Sequence, residues 1–311
     1  MFCSQAAHRT RQVRSRTTLS TLSFSASRSK QEPLCILEDS VLAQTVIVPP
    51  ALREVELVEG FVKDRISIII PAYNEADSIE RGVADIDRQF EAVSEDYEII
   101  IVDDGSEDGT AKIIQQFTDK KIKIVGYDRN EGKGHAVKIG LYNATGQFAF
   151  LIDSDSEIQA KNLMNYVDAL ESADFVIGSK RHPLSTVRTP AGRRFLSLGF
   201  NVLERLLTGV RATDTQAGLK AARSTALYQV LPLLSVKRYA FDAELLAVAS
   251  LLDFKIKELP VNIDLKATFS ARQVFRMLID LLGIAYRLRI RRWYQKNNEI
   301  MSDTYKPIIP W

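Results

Sequence analysis

The stretch FAFLIDSDSEIQ, residues Phe148–Gln159, joins five apolar residues directly to three acids spaced two residues apart. The apolar part has the length and composition of a buried β-strand. Two carboxylates placed so closely at a strand end raise each other's pKa. A divalent cation removes this repulsion, and hard ions such as Mg2+ and Mn2+ take oxygen ligands that they share with substrate phosphates. We therefore predict that Asp153 and Asp155 bind Mg2+ or Mn2+, which clamps a diphosphate.

Polar clusters also follow two earlier predicted strands. RISIIIPAYNE, residues 65–75, ends in Tyr-Asn-Glu, and YEIIIVDDGSEDGT, residues 97–110, ends in Asp-Asp-Gly. Strands that alternate with helical patterns through short turns predict an α/β fold with a mostly parallel sheet covered by helices on both faces. Ligands of such sheets bind beyond the carboxyl ends of the strands. All three polar clusters should therefore lie on one rim.

The polar cluster that follows the second predicted strand, within VDDGSEDGT, has two predicted roles. Asp103 is placed to accept hydrogen bonds from a ribose or a base edge. Ser106 and Thr110 are residue types that cap helices, and we expect them to cap the helix that follows.

Composition excludes several classes of protein. The 311 residues carry a formal net charge of +2, which gives no reason to expect nucleic-acid binding. The two cysteines, Cys3 and Cys35, lie outside the predicted fold and have no metal-site spacing. No apolar run approaches the roughly 18 residues of a membrane-spanning helix. If the protein works at a membrane, it lies on the surface or is held there by an anchoring partner.

We divide the chain into four parts from its patterns. Residues 1–60 form a basic, Ser/Thr-rich segment that is either a disordered tail or a targeting segment. Residues 61–268 form the catalytic domain, with a nucleotide-binding half at 61–181 and an acceptor half at 182–268. Residues 269–296 form an amphipathic interfacial helix, and residues 297–311 form a C-terminal tail.

The predicted interfacial helix is read from VFRMLIDLLGIAYRLRIRRW, residues 274–293. A helical projection gives one polar stripe and one apolar side, a pattern typical of helices that lie in a membrane surface. It is equally typical of a helix packed on a core. The stripe contains Arg276, Asp280, Gly283, Arg287 and Arg291. The apolar side contains Val274, Leu278, Leu281, Leu282, Ala285 and Leu288.

Four ordered motifs carry a resemblance to a known family. IPAYNE, VDDGSEDGT, RNEGKGHAVKIG and DSDS resemble those of the inverting family 2 glycosyltransferases with the GT-A fold, over residues 65–282. GSKR, RRFLSLGFNVLERLL, DTQAGLKAAR and RYAFDAELL are similar to the polyprenyl-phosphate hexose synthases. RYAFDAELL followed by RMLIDLL resembles the dolichyl-phosphate β-glucosyltransferases more than the mannosyl enzymes. These enzymes move one sugar from a nucleotide donor to a lipid phosphate.

The resemblance implies roles for individual residues. It gives a metal and diphosphate motif at Asp153 and Asp155, with Glu157 as a further candidate ligand where the family often has glutamine. It gives an acceptor-phosphate pair at Arg193 and Ser197. Lys180 stands where mannosyl relatives usually have arginine, and it would hold the lipid phosphate with Arg193 and Arg181. The candidate donor-binding residues are Pro71, Tyr73, Glu75, Asp103, Lys133, Asp153, Lys220 and Arg223. Asp242 is assigned a structural or sugar-positioning role.

The implied reaction needs no general base, because a phosphate monoester is already anionic at neutral pH. Catalysis then consists of positioning and charge neutralisation, with Asp155, Lys180, Arg193 and Ser197 as the candidate catalytic residues. The implied donor is UDP-glucose and the implied acceptor is dolichyl or polyprenyl phosphate. The implied location is the cytoplasmic face of a membrane, the endoplasmic reticulum in a eukaryote or the plasma membrane in a prokaryote.

Two other interpretations stay open, and a third lacks the motif that it needs. The donor could be GDP-mannose instead of UDP-glucose. An inactive transferase relative could serve as a membrane scaffold or partner subunit. A nucleotidyltransferase would need a Gly-rich basic loop after the first strand, which PAYNE does not supply.

Overall fold

The centre of the sheet consists of strands that are apolar along almost their whole length. In ISIIIPA and YEIIIVD nearly every side chain is buried, because helices cover both faces of the sheet. Isoleucine and valine also favour the extended backbone. The computed structural model of the chain describes residues 65–153, 160–188, 191–264 and 271–304. The predicted tail or targeting segment, residues 1–60, lies outside the described residues.

Seven strands form the main sheet, in the order β3-β2-β1-β4-β7-β5-β8, and β6 pairs with β9 in a separate ribbon. Only β7 runs antiparallel to its neighbours in the main sheet. The predicted mostly parallel sheet is therefore confirmed. The strands are β1 (Ile66–Ala72), β2 (Tyr97–Asp103), β3 (Ile122–Gly126), β4 (Phe148–Ile152), β5 (Phe175–Ser179), β6 (Thr186–Arg188), β7 (Leu219–Arg223), β8 (Ile256–Pro260) and β9 (Asn262–Asp264).

Helices connect the strands and pack on both faces of the sheet. The described α-helices are α1 (Ile79–Glu91), α2 (Thr110–Ile114), α3 (Lys133–Tyr142), α4 (Ala160–Leu170), α5 (Ala191–Thr208), α6 (Ser224–Val230), α7 (Phe241–Leu251), α8 (Ala271–Ala285) and α9 (Trp293–Thr304). A short 3-10 helix, Leu231–Leu233, follows α6, and a π-helix, Tyr286–Ile290, follows α8.

The alternation of side chains along the central strands divides the core in two. In β1, Ile68 and Ile70 join one buried cluster, whereas Ile69 joins the other. This period of two is what a strand covered on both faces requires. The first cluster packs against α1 and α4, and the second packs against α3 and α7.

The register of the strands places their polar ends at one level. Ala72 at the end of β1 is directly opposite Asp103 at the end of β2, and Ile69 is opposite Leu151 of β4. Asp153 follows β4 on the same rim. The expected rim of converging polar ends is therefore present at β1, β2 and β4.

Two local expectations from sequence differ from the structure. Thr110 is the first residue of α2 and does not cap it, because Gly109 with φ of 101° takes the capping position without a side-chain hydrogen bond. Ser106 and Thr110 instead accept backbone hydrogen bonds from the turn after β1. The segment FKIKELPVNI, expected to form one final strand, is divided between β8 and β9.

The C-terminal helix also differs from the prediction of one helix to Trp293. It passes from α8 into the π-helix and breaks at Arg292, whose φ is 48°. A second helix, α9, begins at Trp293 and covers part of the segment expected to be a tail. The predicted residues 305–311 of that tail lie outside the described residues.

Close packing of α3 on α7 generates a stability prediction. A Cβ added at Gly134 would lie 2.6 Å from the Cβ of Phe241, so Gly134→Ala should lower the free energy of unfolding by about 1–3 kcal/mol. The matched control is Gly199→Ala in α5, where an added Cβ meets nothing within 4 Å. That change should stabilise by up to about 1 kcal/mol. Denaturant unfolding measures both, and equal effects would contradict the assigned packing.

Candidate active site

Hydrogen bonds join the turns that follow β1 and β2. The backbone N–H of Asn74 donates to Ser106 Oγ at 3.0 Å, and Asn74 Oδ1 accepts from the N–H of Glu107 at 2.9 Å. The N–H of Glu75 donates to Thr110 Oγ1 at 2.8 Å. Asn74 adopts φ of 55°, a left-handed conformation that asparagine tolerates. These bonds hold the two polar turns of the rim together as one unit.

Asp104 fixes the loop that leads to α3. Its carboxylate accepts hydrogen bonds from Tyr127 Oη at 2.7 Å and Asn130 Nδ2 at 2.9 Å. It also accepts from the N–H groups of Glu131 at 2.8 Å and Gly132 at 3.0 Å. Four donors on one carboxylate hold the surrounding loop in a single conformation. Asp104 therefore sets the position at which α3 begins.

A chain of alternating charges crosses the rim from α3 to β7. Lys133 Nζ, in the first turn of α3, lies 2.7 Å from Asp153 Oδ1 and 3.4 Å from Asp242 Oδ2. Lys220 Nζ, on β7, lies 3.1 Å from Asp242 Oδ1. These four residues, Lys133, Asp153, Asp242 and Lys220, are here called the lysine–aspartate cluster.

Electrostatics keeps Lys133 and Asp242 charged despite their burial. Burial alone would raise the pKa of Asp242, but Lys133 and Lys220 outweigh burial and hold the pKa below its usual value of 3.8. Burial alone would lower the pKa of Lys133, but Asp153 and Asp242 raise it well above its usual value. The cluster therefore presents fixed charges at neutral pH.

A second ion pair lies next to the cluster. Lys180, directly after β5, has its Nζ 3.3 Å from Asp214 Oδ2, and its backbone N–H donates to the same oxygen at 2.9 Å. Lys180 Nζ also donates to the carbonyl of Gln216 at 3.3 Å. Since β5 and β4 both run antiparallel to β7, Lys180 lies on the same rim as Asp153. The structure thus brings Lys180 together with the lysine–aspartate cluster.

The structure corrects two expected diphosphate ligands. Arg223 lies at the far end of the antiparallel strand β7, opposite Phe148 at the start of β4, and so at the opposite edge of the sheet. Its guanidinium lies over the Phe148 ring. Lys220 is only 5% exposed and is engaged by Asp242 and by the carbonyl of Ala217. Lys220 therefore positions Asp242 and does not face the open rim.

The structure describes some of the other predicted site residues but not all of them. Asp103 ends β2 and accepts a hydrogen bond from the N–H of Ser106 at 3.0 Å. Tyr73 is exposed, and Pro71 and Glu75 are half-buried on the same turn. Asp155 and Glu157 lie outside the described residues. Arg193 and Ser197 belong to α5, and their side chains are also outside the described part.

Sequence reasoning missed two residues of this site. Asp104 was quoted within VDDG but given no task, and Asp214 was quoted within DTQAG but given none. Each is an acid in a turn-rich segment beside a buried strand, and that pattern was the sequence feature that could have marked them as site residues. Their partners, Tyr127 and Lys180, are far from them in the chain, so sequence spacing did not indicate the pairing.

The described residues contain no group of three or more His, Cys, Asp or Glu side chains arranged to hold a metal ion. Asp153 is the one residue of the proposed metal motif whose side chain is described. Its carboxylate is partly exposed at the rim and already binds one cation, the Lys133 ammonium. An oxygen donor of this kind suits Mg2+ or Mn2+.

Two adjacent helices expose large apolar side chains. α5 and α8 pack against each other, and Arg289 donates to the carbonyl of Leu206 at 2.6 Å. Within the described residues, no helix is both long and apolar enough to cross a bilayer. We call the exposed set the two-helix apolar surface. It comprises Leu198, Val202, Leu206, Phe275, Ile279, Leu282, Tyr286 and Ile290.

The predicted polar stripe of the C-terminal helix is partly buried. Arg287 turns inward and its Nη2 lies 3.1 Å from Oε1 of the buried Glu244. Leu281 and Leu288 of the predicted apolar side pack into the core, whereas Leu282 is exposed. The helix therefore has two apolar faces, one buried against the protein and one exposed.

Comparison with known proteins settles the family. Residues 67–231 match the family described as "Glycosyl transferase family 2". The chain belongs to glycosyltransferase family 2. It is 31% identical over 253 residues to dolichyl-phosphate beta-glucosyltransferase ALG5C of Trichomonas vaginalis, covering 74% of each chain. It is 29% identical over 252 residues to the dolichyl-phosphate beta-glucosyltransferase of Dictyostelium discoideum, covering 75% of this chain and 77% of that one. The predicted resemblance is confirmed, and the protein is a glycosyltransferase.

Solved structures agree on the fold. A glucosyl-3-phosphoglycerate synthase from Mycobacterium tuberculosis, crystallised with phosphoglyceric acid, gives a TM-score of 0.54 at 19% identity, covering 72% of this chain and 79% of that one. The same enzyme crystallised with Mn2+, UDP and glucosyl-3-phosphoglycerate gives a TM-score of 0.51 at 19% identity, covering 71% and 81%. The predicted GT-A fold is confirmed.

The cluster generates a prediction about stability. Asp242→Asn leaves Lys133 and Lys220 without their shared carboxylate, which should lower the free energy of unfolding at pH 7 by about 3–5 kcal/mol. Because the folded pKa of Asp242 lies below 3.8, its contribution is present above that pH and is lost as the pH falls further. The deficit of the variant should therefore shrink in acid. Denaturant unfolding with exposed Asp77→Asn as the control tests this, and equal losses in both variants would contradict it.

Proposed function

We propose that the protein transfers glucose from UDP-glucose to dolichyl phosphate, with inversion at the anomeric carbon and with Mg2+ or Mn2+. The observation that carries this proposal is the lysine–aspartate cluster, which lies on the rim formed by β1, β2 and β4. The names of the relatives supply the sugar and the lipid. The site supplies ammonium groups held in fixed positions by aspartates, which can contact two phosphate-bearing substrates.

The donor is held on the nucleotide-binding half of the rim. Asp103, with Pro71, Tyr73 and Glu75 of the joined turns, binds the nucleoside. Lys133 is the cluster lysine that is partly exposed, so it contacts the diphosphate. Asp153, with Asp155 and with Glu157 as a further ligand, holds the metal ion. When bound, that ion stabilises the charge of the departing diphosphate.

The acceptor is held on the other half of the rim. Its phosphate is already ionised, so the protein orients it and neutralises it instead of removing a proton. Lys180 has its ammonium fixed by Asp214 at 3.3 Å. With Arg193 and Ser197 of α5 and with Arg181, it binds this phosphate. Attack from the face opposite the diphosphate inverts the sugar carbon.

The two-helix apolar surface brings the enzyme to its lipid substrate. Its side chains insert into the interfacial region of a bilayer, and the exposed Arg276 of α8 contacts anionic headgroups. The protein therefore works as a peripheral membrane enzyme on the cytoplasmic face. Dolichyl phosphate carries its charge at that surface, and α5 contributes both to the apolar surface and to the proposed acceptor site. A separate anchoring partner would add to this contact.

The reaction is tested with purified protein, dolichyl phosphate in vesicles and Mg2+. UDP-glucose should give a glucosylated lipid, and Asp155→Ala should reduce turnover by at least about 100-fold because it removes charge neutralisation at the diphosphate. Exposed Glu95→Gln is the control for handling and folding. Retained turnover in Asp155→Ala would remove the metal assignment.

The same assay tests the choice of donor. One relative, from Methanococcus voltae, is named UDP-N-acetylglucosamine–dolichyl-phosphate N-acetylglucosaminyltransferase and is 29% identical over 218 residues, covering 63% of this chain and 84% of that one. UDP-N-acetylglucosamine and GDP-mannose are therefore the competing donors. A higher kcat/KM with either one than with UDP-glucose would overturn the proposed sugar.

Membrane docking is tested by removing apolar side chains. Ile279→Ser combined with Leu282→Ser should weaken binding to anionic vesicles about tenfold or more, because each exposed side chain adds on the order of 1–2 kcal/mol when inserted. Turnover of a short, water-soluble prenyl phosphate should be retained. Met164→Ser, which removes an exposed apolar side chain on α4, is the control. Unchanged vesicle binding in the double variant would contradict the proposed surface.

A further inference from the structure

Glu204 of α5 is a fully buried carboxyl with no counterpart cation. Its exposure is 0%, and within the described part of the chain neither of its side-chain oxygens has a hydrogen-bond partner. Two other glutamates are as deeply buried, and both are paired. Glu98 lies 2.6 Å from Lys123 Nζ, and Glu244 lies 3.1 Å from Arg287 Nη2. Glu204 is therefore the exception, and its burial needs a different explanation.

The groups that face Glu204 belong to the proposed substrate site. Asp214 and Thr215 come from the segment before β7, Lys220 from β7 and Asp242 from α7. From the π-helix that follows α8, Arg289 donates a hydrogen bond to the carbonyl of Leu206 in α5. The carboxyl of Glu204 is thus under the electrostatic influence of members of both ion pairs, Asp214 of one and Asp242 and Lys220 of the other.

The cations of the rim are already matched by its aspartates. Lys133, Lys180 and Lys220 provide three positive charges, and Asp153, Asp214 and Asp242 provide three negative charges, giving a balance of zero. A neutral Glu204 leaves this balance intact. An ionised Glu204 adds one buried negative charge that competes with Asp242 for Lys220.

The conditions around Glu204 favour the neutral form. Burial raises the pKa of Glu204 to about 7, and Asp214 and Asp242 act in the same direction. The hydroxyl of Thr215 and the charge of Lys220 oppose this rise but do not cancel it. Because an unpaired buried carboxylate is costly, the proton is retained up to neutral pH.

We propose that Glu204 is a positioning residue of the donor site, whose carboxyl must carry a proton for the lysine–aspartate cluster to accept a nucleotide diphosphate. With the proton present, Lys220 stays on Asp242, and Asp242 holds Lys133 toward the rim. With the proton lost, the site gains a negative charge beneath the position of an anionic ligand. Donor binding and protonation of Glu204 therefore favour each other. This inference rests on the proposed donor site.

The coupling is tested through the pH dependence of donor affinity. UDP-glucose is the probe, because its diphosphate diester does not titrate between pH 6 and pH 8.5, and Mg2+ is kept in excess. In the unaltered protein the affinity should fall about tenfold over this range, which corresponds to a shift of about one pKa unit in Glu204 on binding. In Glu204→Gln, whose side chain cannot ionise, the ratio of affinities between the two pH values should stay within about twofold.

Two further variants separate this role from a simple packing role. Glu204→Leu is also uncharged at every pH, so it should show the same flat profile even if its affinity differs. Exposed Glu95→Gln should keep the profile of the unaltered protein. A steep fall in affinity in Glu204→Gln and Glu204→Leu, equal to that of the unaltered protein, would overturn the inference and leave the proposed function intact. Failure of every protein to bind UDP-glucose at any pH would overturn the donor assignment and the coupling with it.

Stability gives a readout that does not depend on substrate. The pKa of Glu204 is raised from its usual 4.5 to about 7 in the folded protein. The folded state therefore binds this proton more tightly than the unfolded chain, and the group lowers stability as the pH rises from about 4.5 to about 7. Glu204→Gln should gain stability relative to the unaltered protein over this range and hold the gain at pH 8. A stability difference that does not change with pH would contradict a buried proton at Glu204.

Discussion

The ion pairs between Lys133, Asp242 and Lys220 are the interaction on which the site depends. They join the first turn of α3 to β7 and α7, elements that are up to 109 residues apart in the chain. Removing Asp242 would leave the buried Lys220 without its carboxylate partner, which is costly in a protein interior. The same ion pairs therefore both fix the geometry of the rim and contribute to the stability of the fold. Gly134, next to Lys133, packs closely on Phe241, next to Asp242, so the same two helices are also in close contact beside the ion pairs.

The sequence predicted well those elements of the fold that depend only on neighbouring residues in the chain. An apolar run of five to seven residues, closed by turn formers, is buried wherever it lies, so β1, β2 and β4 and their shared rim were predictable. The insertion of β7 between β4 and β5, in the reverse direction, has no local cause. Nothing in the sequence LKAAR indicates whether the strand runs parallel or antiparallel to its neighbours. For this reason Lys220 and Arg223 received the same expected role from the sequence, although Lys220 lies buried against Asp242 and Arg223 lies at the opposite end of the strand.

The amphipathic patterns show a second limit of sequence reasoning. A helical projection sorts residues into polar and apolar, but it does not say what covers each face. In α8 the apolar residues serve two surfaces, one packed on the core and one exposed. In α5 the reverse occurs, since Asn201, Glu204 and Thr208 are polar and yet buried. Their spacing of three and four residues was visible in the sequence, but their burial depends on the neighbouring α7 and β7.

The segment from Thr213 to Lys220 connects the two halves of the proposed reaction. Asp214 pairs with Lys180, which we propose binds the acceptor phosphate, and Lys220, six residues later, pairs with Asp242 on the proposed donor side. The carbonyl of Gly218 also accepts a hydrogen bond from the N–H of Asp153 at 3.3 Å. Two anionic substrates repel each other, so a site that joins them needs cations whose separation cannot relax. Placing both ion pairs on one short segment, next to a strand inside the sheet, supplies that rigidity. Asp214, Thr215 and Lys220 of this segment also influence the buried carboxyl of Glu204, so the proposed coupling to protonation acts through the same segment.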